Sequence, residues 1–274
     1  MPENRHAFRR DILVSESLYP MLRSHTVHGV PVLPMMLAHE WGLQAVLAAS
    51  PGKYVLEMQN LKVLKGIQLH NYATSGDWFS VVCAPADAGM FQCAIKDAKG
   101  QPRYQMAFRL GEVPPVPSAD DVTVFRDSLP PWDWDVDGLY DRHLFHGPHF
   151  QGIRRLDGIS REGCAALFEM KAPWPDAPLV WRSDIPLLDS GIQLGFLWER
   201  RRSGLGVLPT GVESLTLFRS GIWGETVTCR LRQCTATGMK VVWDLLYATA
   251  DGAPLALLRG LELHALANVT RNSP

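Results

Sequence analysis

Two stretches of the chain are apolar on most sides. Residues 34–49, PMMLAHEWGLQAVLAA, open with a proline and are broken only by His39, Glu40 and Gln44. Proline suits a first helical turn, where no intrahelical acceptor awaits an N–H. An apolar surface without a polar face predicts a buried helix. Residues 185–201 repeat the arrangement, with Pro186 at the start and the arginine run Arg200-Arg201-Arg202 across the end. Shorter runs rich in β-branched and aromatic residues follow each helix. In the first half they cover 54–58, 67–70, 78–84, 91–96 and 104–110. In the second half they cover 164–170, which precedes the helix, and then 214–218, 226–232, 241–248 and 255–263. Turn formers such as Ser75-Gly76-Asp77 and Asp97-Ala98-Lys99-Gly100 separate them, so they are predicted as antiparallel strands.

Between the halves, residues 112–131 (EVPPVPSADDVTVFRDSLPP) hold five prolines and no sustained period, which marks a linker. The chain therefore divides into 1–111, 112–131 and 132–274. Each outer part has one buried helix and several strands, with negligible identity between them. A sheet wrapped around one buried helix is a hotdog fold. The expected class is α+β, a double hotdog of two antiparallel sheets, each around one long helix.

Composition narrows the function. A net charge of −1 gives no electrostatic case for nucleic acid or an anionic membrane surface. No run reaches the ~18 apolar residues of a spanning helix, and MPENRHAFRRDILVSE lacks the apolar core of a secretory signal. Five cysteines, an odd number without a C-x-x-C pair, are expected as free thiols packed like small apolar groups in a reducing cytoplasm.

Candidate chemistry lies beside the two helices. His25 stands in SHTVHGVPVLP, an HxxxGxxxxP pattern with Gly29 and Pro34, just before a helix whose first-turn N–H groups are free to hold an oxyanion. Asp189 and Gln193 lie four residues apart in IPLLDSGIQLG, on one face of the second helix. A carboxyl among Leu187, Leu188 and Ile192 resists ionisation, and a neutral acid can donate to a leaving hydroxyl. Gln193 is placed to hold it.

Four ordered motifs resemble the dehydratase domains of modular polyketide synthases and polyunsaturated fatty-acid synthases. These are HxxxGxxxxP, HGPHFQG at 146–152, DSGIQ at 189–193 and LPTG at 208–211. The resemblance spans residues 17–265. It implies His25 as catalytic base and Asp189 as catalytic acid. Gly29, Pro34, His146, Gly147, Pro148, Phe150, Gln193, Pro209 and Gly211 are implied as supporting or substrate-binding residues. The implied reaction turns a 3-hydroxyacyl thioester on an acyl carrier protein into the 2-enoyl thioester. No cofactor or metal is implied, since the phosphopantetheine arm belongs to the carrier. Ketosynthase and ketoreductase domains, and a second copy in a homodimer, are the other implied partners. This sequence departs from the family in three places. His146 stands where the family has tyrosine, Met35 where it usually has glycine, and the first strand reads as shortened.

Two other functions use the same fold: a product-template-like cyclase or double-bond isomerase with the same dyad, and an inactive thioester-binding module. Other signals are bland. The spacing of His143, His146 and His149 invites a zinc site, but Gly147-Pro148 prevents one continuous helical face. The acidic run from Asp133 to Asp137 imitates a calcium loop, yet its twelfth position is Leu144 rather than a glutamate.

Overall fold

The computed structural model describes residues 7–125, 128–169, 174, 180–221, 224–237 and 239–265. The first half comprises β1 (Phe8–Val14), the hairpin arms β2 (Thr26–Val27) and β3 (Val30–Pro31), α1 (Met35–Ala49), β4 (Tyr54–Val63), β5 (Asp77–Pro85), β6 (Met90–Asp97) and β7 (Pro102–Gly111). Two short helices follow, α2 (Ala119–Thr123) and α3 (Leu139–Arg142). The second half comprises β8 (Ile153–Ile159), β9 (Gly163–Glu169), α4 (Ile185–Ser203), β10 (Val207–Leu217), β11 (Thr226–Thr237), β12 (Lys240–Thr249) and β13 (Pro254–Ala265).

This is a double hotdog. Helix α1 packs on β1 and β4–β7, α4 packs on β8–β11, and the two helices touch. The two expected sheets are fused into one of 11 strands, ordered β1-β5-β6-β7-β4-β10-β13-β12-β11-β9-β8. The join is antiparallel pairing of β4 with β10, in which Leu61 faces Val212 and Met58 faces Leu215. Both helices are buried along most of their length, which explains why neither shows a polar face.

Several expectations need correction. Residues 67–70 are not a strand of the sheet. Ile67 and Leu69 are buried and their neighbours are not, so the alternation is real, but the segment runs only beside residues 31–33, with Leu33 N–H donating to Ile67 O and Leu69 N–H to Pro31 O. Strands β1 and β8 had no predicted counterpart. The first strand spans seven residues and pairs with β5 from Phe8 to Val14. The linker holds the capped turn α2, in which Ser118 and Asp121 bond reciprocally. Cys83 and Cys93 face each other across β5 and β6 and are joined as a disulfide, so two of the five expected free thiols are paired. Ten positions apart in sequence, they meet only through the hairpin register. Met170, the last residue of one expected strand, lies outside the described residues, as do 1–6 and 266–274 of the two outer parts.

Candidate active site

The first functional side chain is set by a tight hairpin. Thr26 pairs with Pro31 and Val27 with Val30, leaving His28 and Gly29 as a two-residue turn. Both have positive φ, 51° and 78°, as a type I′ turn requires. Nothing lies within 4 Å of a Cβ placed on Gly29, so backbone conformation alone calls for glycine there. The hairpin brings His25 opposite Val32. Val32 N–H donates to His25 O at 2.9 Å, and the His25 Nδ1–H donates to Val32 O at 2.8 Å. That bond fixes the tautomer and leaves the Nε2 lone pair free. Pro34 is the N-cap of α1 rather than part of its first turn, and its carbonyl receives the N–H groups of Leu37 and Ala38.

The second half reaches this hairpin through HGPHFQG. His25 and His146 form an isolated antiparallel bridge, and Gly147 N–H donates to Ser24 O at 2.7 Å. A Cβ on Gly147 would lie 3.0 Å from Ser24 Cα, which accounts for glycine at this crossing. Pro148 starts a 3-10 turn ending at Phe150, whose carbonyl accepts from Gln193 Nε2 at 3.0 Å.

Helix α4 supplies the carboxyl. Asp189 sits in its second turn, and Gln193 Nε2, one turn on, donates to Asp189 Oδ2 at 2.8 Å. One nitrogen each from His25 and His146 and a carboxylate oxygen of Asp189 lie within 4.8 Å of one another. His146 Nε2 is 3.4 Å from Asp189 Oδ2. The three residues are 7%, 3% and 4% exposed, so their electrostatics are those of a nearly dry protein interior. Burial pushes the Asp189 carboxyl up, against the opposing pull of His25 and Gln193. Burial pushes the His25 imidazole down, against Asp189 and the Val32 carbonyl, and holds His146 well below the usual histidine range. All three groups are thus biased towards their neutral forms. A neutral imidazole with a free Nε2 beside a neutral carboxylic acid can remove one proton and deliver another.

His25, His146, Gly147, Pro148, Phe150, Asp189 and Gln193 meet at this site. Gly29 and Pro34 act on the backbone around His25. Pro209 and Gly211 lie elsewhere, on β10 at the seam with β4 and β13, where a Cβ on Gly211 would lie 2.8 Å from Leu61 O. The other histidines of the triplet diverge: His143 stacks on Trp134 at 4.2 Å, and His149 Nδ1 bonds Ser24 Oγ at 2.8 Å. Asp133 of the acidic run pairs with Arg201.

Two residues at the site escaped sequence reasoning. Phe145 is 40% exposed, stacks on His146 at 4.0 Å and meets the His25 ring edge-on at 5.1 Å, so it covers the imidazoles from solvent. Glu40 of α1, fully buried, receives Arg182 N–H (2.7 Å), Ser183 N–H (2.9 Å) and Ser183 Oγ–H (2.6 Å) just before α4 begins. It thereby ties the first helix to the start of the helix carrying Asp189. A carboxylate inside an otherwise apolar helix was its visible signal.

A double hotdog with a buried His/Asp pair at the contact of its halves is the arrangement the resemblance to dehydratase domains implies. The sequence profile described as the polyketide synthase dehydratase N-terminal domain matches residues 123–273, more than half the chain. The chain belongs to the polyketide synthase dehydratase family, whose reaction is dehydration of a 3-hydroxyacyl thioester. Solved structures share its fold. The dehydratase domain of a mycocerosic acid synthase-like polyketide synthase superposes with a TM-score of 0.76 at 22% identity, covering 98% of this chain and 94% of that one. The dehydratase domain of PpsC from Mycobacterium tuberculosis, in complex with C12:1-CoA, gives 0.76 at 18% identity, covering 97% and 96%. The dehydratase domain from the CurF module of the curacin polyketide synthase gives 0.72 at 17%, covering 97% and 96%. No curated protein sequence matches the chain. No helix among the described residues is long and apolar enough to cross a membrane.

Proposed function

We propose that this chain is a catalytically active dehydratase that converts a 3-hydroxyacyl thioester on an acyl carrier protein into the 2-enoyl thioester. His25 is the base and Asp189 the acid. One observation carries the reading: a buried imidazole whose Nδ1 is tied to Val32, leaving Nε2 free, lies beside a buried carboxyl that burial biases towards its protonated form.

His25 Nε2 takes the C2 proton. Negative charge grows on the thioester oxygen, where the first-turn N–H groups of α1, at Met35 and Met36, are the proposed donors. The C3–O bond breaks as Asp189 gives its proton to the departing hydroxyl, which leaves as water. Imidazolium and carboxylate remain, and transfer of the proton from one to the other resets the pair. Phe145 closes the pocket and Gln193 orients the acid. The reaction uses no metal or redox cofactor. The PpsC domain binds an acyl-CoA thioester in its crystal, which supports an acyl thioester as ligand class here. The working context is a multienzyme with ketosynthase and ketoreductase activities, as a homodimer in the cytoplasm.

The test is incubation with a 3-hydroxyacyl carrier protein or its pantetheine analogue, read by mass spectrometry. Loss of one water, abolished in His25→Ala and Asp189→Asn, is the expected result. No enoyl product, or full turnover by His25→Ala, overturns the proposal. A product of unchanged mass points instead to isomerisation.

A further inference from the structure

We propose that the same pocket is a divalent transition-metal site, held by His25, His146 and Asp189, and that an ion such as Zn²⁺ bound there blocks dehydration. The inference shares its residues with the function proposed above, but its test does not depend on turnover.

The donor set suits zinc. Imidazole nitrogen and carboxylate oxygen bind it at about 2.0–2.2 Å, and tetrahedral ligands at that distance lie roughly 3.3–3.5 Å from one another. His146 Nε2 and Asp189 Oδ2 already stand 3.4 Å apart. The third donor, from His25, completes a set within 4.8 Å, so an ion must draw in one side chain by about 1 Å. Outer groups favour the same arrangement. Metal-binding histidines usually donate their second N–H to a carbonyl, as His25 Nδ1–H does to Val32 O. Gln193, anchored on Phe150 O, holds the carboxylate in place. Among the described residues, His146 Nδ1 and Gln193 Oε1 are buried without hydrogen-bond partners, so the polar atoms around the site are not all satisfied by protein groups.

His146 is the residue on which this turns. A neutral tyrosine at that position would offer a phenol in place of an imidazole lone pair and leave one histidine and one carboxylate, too few for a stable zinc site. Substrate must reach the same atoms, so its path also admits the ion. Once bound, the ion takes the Nε2 lone pair that receives the C2 proton and the carboxylate that carries the acid proton. One coordination position stays open to water.

The experiment uses the whole chain stripped with a chelator. Zn²⁺ is titrated by calorimetry and Co²⁺ by visible absorption, for the unaltered protein and for His146→Tyr and His146→Phe, each checked for folding by circular dichroism. One ion per chain is expected at micromolar free metal or below, with the intense d–d bands of four-coordinate cobalt. Outer-shell substitutions alone weaken metal sites about 10–100-fold, so loss of this ligand should cost about 100-fold or more. Failure of the unaltered chain to bind, six-coordinate cobalt bands, or unchanged affinity in a folded variant overturns the proposal. Turnover of the chelator-treated chain is assayed separately. A metal-free protein that dehydrates but does not bind zinc refutes this inference and leaves the proposed function standing.

Discussion

Removing the Glu40 carboxylate should loosen the start of α4 and, through it, Asp189. The carboxylate accepts the N–H groups of Arg182 and Ser183, the Ser183 hydroxyl and the Gln44 amide, the last at 2.7 Å. In Glu40→Ala the hydroxyl can rotate, and Gln44 keeps its bond to Val180 O at 3.0 Å. The two backbone N–H groups have no such freedom. A buried donor stripped of its acceptor costs about 1–3 kcal/mol, so the pair costs about 2–6 kcal/mol. That is a large share of the roughly 5–15 kcal/mol of a typical fold. Glu40→Gln keeps one acceptor oxygen and turns its amide N–H towards a donor, so it should fall between the parent and Glu40→Ala. Urea unfolding followed by tryptophan fluorescence measures the loss. In the surviving folded fraction, kcat should fall while KM changes little, because Asp189 lies six positions beyond Ser183 and is displaced without loss of acyl contacts. A destabilisation of Glu40→Ala below about 1 kcal/mol would refute the reasoning, since the four bonds would then be no better than those to water.

Three further outcomes follow from the site and its helices. Gln193→Leu removes the bond that lowers the Asp189 pKa; the acid should hold its proton to higher pH, so kcat falls and the alkaline limb of kcat/KM moves up, and a limb that stays or moves down contradicts the assignment of Asp189 as acid. Gly191→Ala places a Cβ 2.0 Å from Tyr247 Oη, forcing that ring off the Leu188 carbonyl it bonds at 2.8 Å; overpacking and the lost bond together should cost about 2–4 kcal/mol, read as a lowered Tm, and an unchanged Tm refutes the close approach. Burial holds His39 neutral, lowering its pKa from 6.5 to about 4; protons go first to the unfolded chain, so its share of stability is whole above pH 6.5 and is lost as pH falls towards 4, on the order of 3 kcal/mol in all. His39→Leu should flatten the dependence of unfolding free energy on pH between 7 and 5, and a slope equal to the parent's assigns the acid sensitivity elsewhere.

The long elements were legible because burial wrote them into the chain: a helix enclosed by a sheet is apolar on most sides, as both are here. The missed strands failed for the opposite reason. β1 (FRRDILV) and β8 (IRRLDGI) are the two edges of the sheet, and each carries adjacent arginines that break the alternation while discouraging further strand pairing. Fusion of the sheets through β4 and β10 leaves no local mark, because pairing between strands about 150 residues apart depends on packing rather than pattern. At the site, the separate motifs were visible, but the meeting of residues 24–25 with 146–147 was not. Nor was the partner of Glu40, since the backbone amides that bind it carry no sequence signal.

A deeper regularity also escaped notice, because identity between the halves is so low. Helix α1 contains Glu40-Trp-Gly-Leu-Gln44 and α4 contains Asp189-Ser-Gly-Ile-Gln193. The geometry repeats with the pattern. Each glutamine donates to the carboxylate one turn before it, at 2.7 Å in α1 and 2.8 Å in α4, and each also reaches a backbone carbonyl at 3.0 Å, Val180 O and Phe150 O respectively. The central glycines lie against the sheet, where a Cβ would fall 2.8 Å from Met106 Sδ or 2.0 Å from Tyr247 Oη. What differs is the group facing the carboxyl. In α4 it meets two imidazoles and, among the described residues, no main-chain donor, and burial biases it towards the protonated form an acid needs. In α1 burial raises the Glu40 pKa as well, but donors from Gln44 and residues 182–183 occupy the carboxyl oxygens, leaving no lone pair for a substrate. One carboxylate–glutamine device therefore serves twice, as the proposed acid in the second half and, in the first, as the tie that holds the helix carrying it.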